Sequence, residues 1–535
     1  MRWAGVLVGV VVAAAQRAQA QTAPPPTGLD AIFARHTAET PGCAVGVAEK
    51  GKAPVVKGYG SADLEHAVPI TADTIFEAGS VSKQFTAAAI LLLVEEGKLA
   101  LTDDIRKYIP EMPQYAWPIT VDMLLSHTSG LRDWGSVMDL AGWPRTSRIY
   151  TPVEVLQIAA RQKALNYAPG EAYSYTNTGY NLAAVIVQRV SGQSLAEFTK
   201  ARLFEPLGMS RTSWRDNFRR VVPGRAIAYG PGPNGFVQDM PFEHTYGHGG
   251  LLTTAGDLLI WNQALTDEAL GKTLSARLRE QAVLTGGRRI AYARGQVVQT
   301  WKSQLEVAHS GATAGYRAWL ARFPAQGLSV ALLCNGAGVS PVQVGRRVAE
   351  LYLPAAPAAS TPVAQPPEEL ESLPGLYVDE RAGGIVRVAA EKGALTLRGL
   401  GVLAPAGKGR YRGAEMDFIF GPDRLERRSG DGESVTYRRM APVAPTEAEL
   451  AELAGAYSSP EAGAVLVAAV REGVLVLSPA DRPSAPVVAR PLYKDAFQGE
   501  GSLIRVVRSA DGKPTGLRFS EGRVYSLEFR RVPGS

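Results

Sequence analysis

The feature that most constrains this 535-residue chain is an internal repeat near its end. Leu373, Gly375, Tyr377, Gly383, Gly393, Leu395 and Leu397 recur 80 residues later as Leu453, Gly455, Tyr457, Gly463, Gly473, Leu475 and Leu477. "SGDG" at 429 matches "SADG" at 509 with the same offset, and the copies end alike, on "YRRM" at 437 and "FRRV" at 529. The second copy carries about 12 extra residues before that end. A constant offset over this many positions means one supersecondary unit used twice. Both copies are rich in Gly and Val and strand-like, which predicts two small all-β, barrel-like units over 370–445 and 446–535. The Pro/Ala-rich "PAAPAASTPVAQPPEE" at 354–369 reads as a linker ahead of them.

Residues 27–353 follow a different pattern. Strand-like runs open it ("CAVGVAEKG", "APVVKGYGSAD") and close it ("YARGQVVQTW", "LEVAHSG", "YRAWLARFP", "LSVALLCNG"). Between about 80 and 285, apolar residues recur at helical spacing, as in "KQFTAAAILLLVEEGKL" and "NLAAVIVQRVSG". Strands at both ends around a helical middle predict an α+β domain whose sheet is built from both ends. Cys43 and Cys334, the only cysteines, lie in strand-like runs and are expected to be buried free thiols.

The chain starts with Arg2, an apolar run from Val6 to Ala15, and Ala18-Gln19-Ala20. That pattern reads as a secretory signal over 1–20, cut after Ala20. The run is too short to span a bilayer. The expectation is a periplasmic or secreted protein with no stable membrane anchor. Net charge is +6, from 57 basic and 51 acidic residues, without a basic block. A nucleic-acid partner is therefore not expected.

The chemistry begins at "EAGSVSKQF", 77–85. On a helix, i and i+3 share a face, so Ser80 can meet Lys83 while Ser82 points elsewhere. A serine hydroxyl needs an adjacent base, and a desolvated lysine can have its pKa lowered enough to serve. Further on, "GEAYSYTNTGYNLAAVIV" offers Tyr175, a phenol that a nearby ammonium could hold partly ionised, and Asn177, a donor and acceptor for a substrate amide. "EVAHSGATAGYRAWLARF" places His309-Ser310-Gly311 at a strand end. Gly311 would let a substrate backbone lie against that strand, and the Ala312 amide could pair with that of Ser80 as an oxyanion hole.

Ser-x-x-Lys, Tyr-x-Asn and His-x-Gly in this order resemble the three motifs of the penicillin-recognising serine hydrolases. These include class C β-lactamases, D-alanyl-D-alanine carboxypeptidases, D-aminopeptidases and related esterases. "LLSHTSGL" at 124–131, "YSYTNTGYNL" at 173–182 and "GGLLTTAGDLLIW" at 249–261 look like further landmarks of that family. The resemblance implies a five-stranded antiparallel sheet flanked by helices, plus an all-helical region. It makes Ser80 the acylated nucleophile and Lys83 its proton-transfer partner. Tyr175 becomes the general base, Asn177 a substrate ligand, and the Ser80 and Ala312 amides the oxyanion hole. It also implies a small peptide or ester substrate, no metal or organic cofactor, and room for a homodimer.

His309 stands where the carboxypeptidase and lactamase branches often have a lysine that holds a substrate carboxylate. A neutral imidazole forgoes much of a charged hydrogen bond of about 1.5–3 kcal/mol. Weak β-lactamase and carboxypeptidase activity is therefore expected. His-x-Gly followed by two β units resembles the D-aminopeptidases, in which a loop from a C-terminal barrel shapes the site. "LYKDAFQGEGSLI" at 492–504 is a candidate for that loop. An esterase, a D-alanyl-D-alanine carboxypeptidase or a β-lactamase is the alternative within the family, and a non-catalytic cell-wall binder the alternative outside it. A metal hydrolase built on His244 and His248 lacks a third ligand.

Overall fold

The computed structural model describes residues 28–355, 367–413, 416–429 and 433–534. The expected signal at 1–20, most of the linker and most of "SGDG" lie outside the described residues. Strands β1 (Cys43–Glu49) and β2 (Val55–Tyr59) start the sheet of the N-terminal domain. Strands β3 (Val297–Trp301), β4 (Gln304–Thr313), β5 (Tyr316–Phe323) and β6 (Leu328–Cys334) return to the same sheet, in the order β3-β4-β5-β6-β1-β2. Every neighbouring pair is antiparallel. The sheet is thus assembled from both ends of the domain. It has six strands rather than five, because Lys302 and Ser303 both take positive φ and fold β3 back onto β4 as an edge hairpin.

Strand β6, "LSVALLC", is buried at every position. Val330 and Leu332 pack with Val344 and Val348 of the helix Pro341–Glu350, while Ala331 and Leu333 join Leu258 and Leu259 of the helix Ala255–Thr266. Covered on both faces, such a strand reads as a continuous apolar run rather than an alternating one. Cys43 and Cys334 form a disulfide, which corrects the free-thiol expectation. They face each other in the β1–β6 register, an adjacency that a sequence separation of 291 conceals. Among the described residues no free cysteine remains.

Three helices carry the site. Helix α1 (Lys83–Glu95) is apolar nearly all round and buried almost throughout, as a central core helix must be. Helix α2 (Trp134–Leu140) is capped by Asp133, whose carboxylate accepts from the amides of Gly135 and Ser136. Helix α3 (Asn177–Ser191) starts at the cap Thr176 and ends on Gly192 in the left-handed region.

The C-terminal repeat is physical. Tyr377 and Tyr457 donate their hydroxyls to the Leu373 and Leu453 carbonyls, each at 2.9 Å. Gly383 and Gly463 close the same turn in each copy, at 2.8 Å to Asp379 and Ser459. The copies then diverge. The first is an open sheet of nine strands, and the second closes into an eight-stranded barrel. That barrel ends on the hairpin β7 (Pro514–Glu521) and β8 (Val524–Arg531). Its core runs into the N-terminal domain: Trp134, Val137 and Met138 of α2 share one buried apolar cluster with Leu475, Phe519 and Phe529. Arg132 fixes the junction, through Glu461 at 3.0 Å and the Tyr525 carbonyl at 3.1 Å. Among the described residues no helix is long and apolar enough to cross a membrane.

Candidate active site

Ser80 sits on a single 3₁₀ turn, Gly79–Ser82, that leads into α1. Ser82 is turned away and donates to the Gly79 carbonyl at 2.5 Å. Lys83, the first residue of α1, is fully buried. Its Nζ lies 3.1 Å from Ser80 Oγ, 3.0 Å from Asn177 Oδ1 and 2.6 Å from the His248 carbonyl. Burial is the main force pushing its pKa well below the ordinary lysine value, and the nearby Arg523 pushes the same way. A neutral amine has two hydrogens and one lone pair. Asn177 Oδ1 and the His248 carbonyl can only accept, so they take the two hydrogens. The lone pair is left for the Ser80 hydroxyl, which is the arrangement a general base requires.

The end of β4 runs hard against this turn. A Cβ on Gly311 would lie 2.0 Å from the Ala78 carbonyl oxygen and 3.1 Å from the Ser80 nitrogen. One on Gly79, which takes φ +51°, would lie 2.7 Å from the Ala312 nitrogen. Glycine at both places lets the two backbones touch and brings the amides of Ser80 and Ala312 to one seam. Two such donors converging on one oxygen make an oxyanion hole.

Tyr175 is buried, with Lys83 Nζ 4.8 Å and the Arg523 guanidinium 4.9 Å from its ring centre. Its hydroxyl is shut away without a hydrogen-bond partner of good geometry, although the adjacent Ser80 hydroxyl favours the phenolate. Burial outweighs that influence and holds the phenol above its ordinary pKa. The expected partial ionisation is thereby disfavoured: burial raises the Tyr175 pKa and, in the same pocket, lowers that of Lys83. His309 is neutral, its pKa pushed down to about 3 chiefly by burial. Nδ1 lies 2.6 Å from the Ser310 carbonyl and so carries the proton, leaving Nε2 to accept from the Tyr292 hydroxyl at 3.0 Å. Both ring nitrogens are engaged within the protein.

The structure thus brings together Ser80, Lys83, Tyr175, Asn177, His309, Gly311 and Ala312 from three separate stretches of chain. It does not bring 492–504 to the site. Leu492 and Leu503 from that stretch pack instead on Leu376 and Val378 of the first β unit. The barrel reaches the site through the β7–β8 turn, Glu521–Arg523. The Arg523 carbonyl accepts from the Asp133 amide at 3.2 Å and from Asn166 Nδ2 at 3.0 Å, which aims the guanidinium at Tyr175. Asp133 Oδ2 accepts from the Asn177 amide at 2.6 Å, so one aspartate links the barrel turn, α2 and α3. Glu521 belongs to the same charge cluster: its pKa is raised to about 7 by burial and by Asp139 and Asp133, and Asp139 is raised to about 6.

His248 was weighed in the sequence only as a metal ligand. Its Nδ1 meets Asn181 Nδ2 at 2.9 Å and its Nε2 meets Arg145 at 3.3 Å, so it fixes the loop whose carbonyl holds Lys83. His127, inside "LLSHTSGL", was also missed as a site residue. Its ring lies 4.2 Å from that of Tyr175, and its Nδ1 accepts from the Thr176 amide at 3.2 Å.

Residues 29–353 match the Beta-lactamase family. The chain belongs to this family. The relatives include penicillin-binding protein 4* of Bacillus subtilis, 31% identical over 298 residues that cover 52% of this chain and 64% of that protein, just under two thirds of its length. A D-aminopeptidase of Cereibacter sphaeroides is 26% identical over 520 residues, 92% of this chain and 96% of that one. Among solved structures, the D-amino acid amidase of Ochrobactrum anthropi aligns with a TM-score of 0.52 at 22% identity, covering 60% of this chain and 96% of its own. The octameric penicillin-binding protein homologue of Pyrococcus abyssi aligns with a TM-score of 0.54 at 23% identity, over 82% and 94% of the two chains. At these identities the solved structures speak to the fold alone. This member of the β-lactamase family is a serine hydrolase working by acyl transfer.

Proposed function

We propose that this chain is an exported hydrolase resembling the D-aminopeptidases, which cleaves an N-terminal D-residue through an acyl-enzyme on Ser80. The observation that carries the proposal is the β7–β8 turn, which sets Glu521 with Asp139 and Asp133 on the barrel side of the site. Carboxylates there suit a substrate that arrives with a free ammonium group. The neutral, fully engaged His309 argues against a substrate held by a terminal carboxylate. A relative matched over 92% of this chain, both β units included, carries the name D-aminopeptidase. Export rests on the leader at 1–20.

In the proposed reaction, Lys83 takes the Ser80 proton as Oγ attacks the carbonyl carbon, and the Ser80 and Ala312 amides hold the oxyanion. The proton then passes to the leaving amine, with the Tyr175 hydroxyl as the other acid–base group beside Ser80. Water attacks the resulting ester and regenerates the serine. Asn177 both orients Lys83 and offers its amide group to the substrate.

The test is a panel of D-alanine p-nitroanilide, its N-acetyl derivative, a short p-nitrophenyl ester, nitrocefin and a D-Ala-D-Ala peptide. The free-amine anilide should be preferred over the N-acetyl form by about 10-fold or more, the value of one charged hydrogen bond. Glu521→Gln should erode that preference. Equal rates for the two anilides, or a preference for nitrocefin, would overturn the proposal.

A further inference from the structure

The two β units meet along a dry seam of Leu376, Val378, Leu492 and Leu503. Beside this seam opens a cleft of about 650 Å³. Three arginines line it: Arg387 and Arg398 from the first unit and Arg490 from the barrel. Among the described residues, none of the three has a carboxylate partner or a side-chain hydrogen bond. Other arginines nearby differ: Arg505 pairs across the junction with Glu380 at 3.8 Å, and Arg508 within the barrel with Asp495 at 2.8 Å.

Arg387 and Arg398 are also direct cross-strand neighbours. The register pairs Val388 with Leu397, and the Arg398 amide donates to the Arg387 carbonyl at 3.3 Å. Like charges placed opposite one another on antiparallel strands are destabilising. Arg387 is half-buried, and its pKa is lowered by that burial and then by Arg398. Gln498, paired with Arg490 across the next hairpin, adds an amide to the same wall. Glu500 is the one carboxylate in the lining, so the cleft keeps a net positive charge. Planar guanidiniums suit oxyanions, each offering two parallel donors to one carboxylate or phosphate group.

We propose that the cleft between the two β units is a binding site for a multivalent oxyanion, a ligand bearing carboxylate or phosphate groups, held by Arg387, Arg398 and Arg490. The site is separate from the catalytic centre and does not rest on the identity of the hydrolysed substrate. Because Arg387 and Arg398 repel each other in the free protein, the ligand relieves that repulsion as it binds.

The test is calorimetric titration of the full chain at fixed ionic strength. Inorganic tripolyphosphate represents the phosphate source, and tricarballylate the carboxylate source. At least one should bind with 1:1 stoichiometry and weaken as salt rises. Arg387→Gln and Arg490→Gln should each cost five-fold or more in affinity, and Glu500→Gln should tighten binding. Arg398→Gln should weaken binding yet leave the unfolding midpoint unchanged or higher, because a like-charge neighbour is removed. The probe that binds identifies the source. The proposal is overturned if neither binds, or if the triple glutamine variant binds as well as the wild type while hydrolysing an ester at the wild-type rate.

Discussion

Replacing Gly311 with alanine should slow acylation of Ser80 by about 100-fold without unfolding the domain. The added Cβ would sit 2.0 Å from the Ala78 carbonyl oxygen and 3.1 Å from the Ser80 nitrogen. Carbon–oxygen contacts are comfortable only from about 3.3 Å. Both clashing groups are backbone, so no side chain can swing aside, and β4 must part from the Ser80 turn by about 1 Å. A misplacement of that size at reacting groups costs on the order of 10²-fold, or about 2.7 kcal/mol of barrier. It also falls within the loss expected when one oxyanion donor is withdrawn, about 10²–10³-fold. The assay is the second-order rate of covalent labelling by a fluorophosphonate, alongside kcat/KM for a p-nitrophenyl ester and a urea unfolding curve. Gly338→Ala is the control, since a Cβ there meets nothing within 4 Å. A folded Gly311→Ala protein that acylates at the wild-type rate would refute the seam between β4 and the Ser80 turn as the oxyanion hole.

Removing the Cys43–Cys334 bridge, by Cys334→Ala with Cys43→Ala or by reductant, should destabilise the catalytic domain by about 2–4 kcal/mol, since it closes a long loop. An unchanged urea midpoint would contradict it. Glu521 and Asp139 have folded-state pKa values raised to about 7 and about 6, above their unfolded values. The folded chain therefore holds more protons between pH 4 and 7, and stability should fall as pH rises through that window. Glu521 is only partly buried, so after discounting for solvent its share is about 1–2 kcal/mol. Urea midpoints from pH 5 to 8 should slope less in Glu521→Gln, and equal slopes would count against the shift. His309→Lys should improve carboxylate-bearing substrates relative to neutral ones by about 10-fold. No change in that ratio would mean that position 309 does not face the carboxylate.

Local and periodic features were legible in the sequence. The 80-residue repeat was visible because Tyr377 and Tyr457, with the glycines around them, close the same hydrogen bonds in each copy. The choice of Ser80 over Ser82 followed from i,i+3 geometry, which survives although Ser80 lies on a 3₁₀ turn rather than on α1 itself. The sheet was readable because its strands are apolar runs at both ends of a helical stretch. What stayed hidden depends on long-range packing. Nothing near Cys43 marks Cys334 as its neighbour. The Glu521–Arg523 turn looks like any hairpin tip, and only the docking of the barrel on α2 brings it to Tyr175. The directions in which the Lys83 and Tyr175 pKa values move are products of burial, which motif spacing does not report.

The central claim is that Ser80 is a nucleophile activated by Lys83, whose pKa burial lowers. Peptide mass spectrometry after treatment with a fluorophosphonate at pH 7 tests it most directly. The account predicts one adduct, on the peptide containing Ser80, absent in Ser80→Ala and formed at least 100-fold more slowly in Lys83→Met, which keeps the buried stem but no base. Labelling of another residue, or undiminished labelling of Ser80 in Lys83→Met, would contradict it.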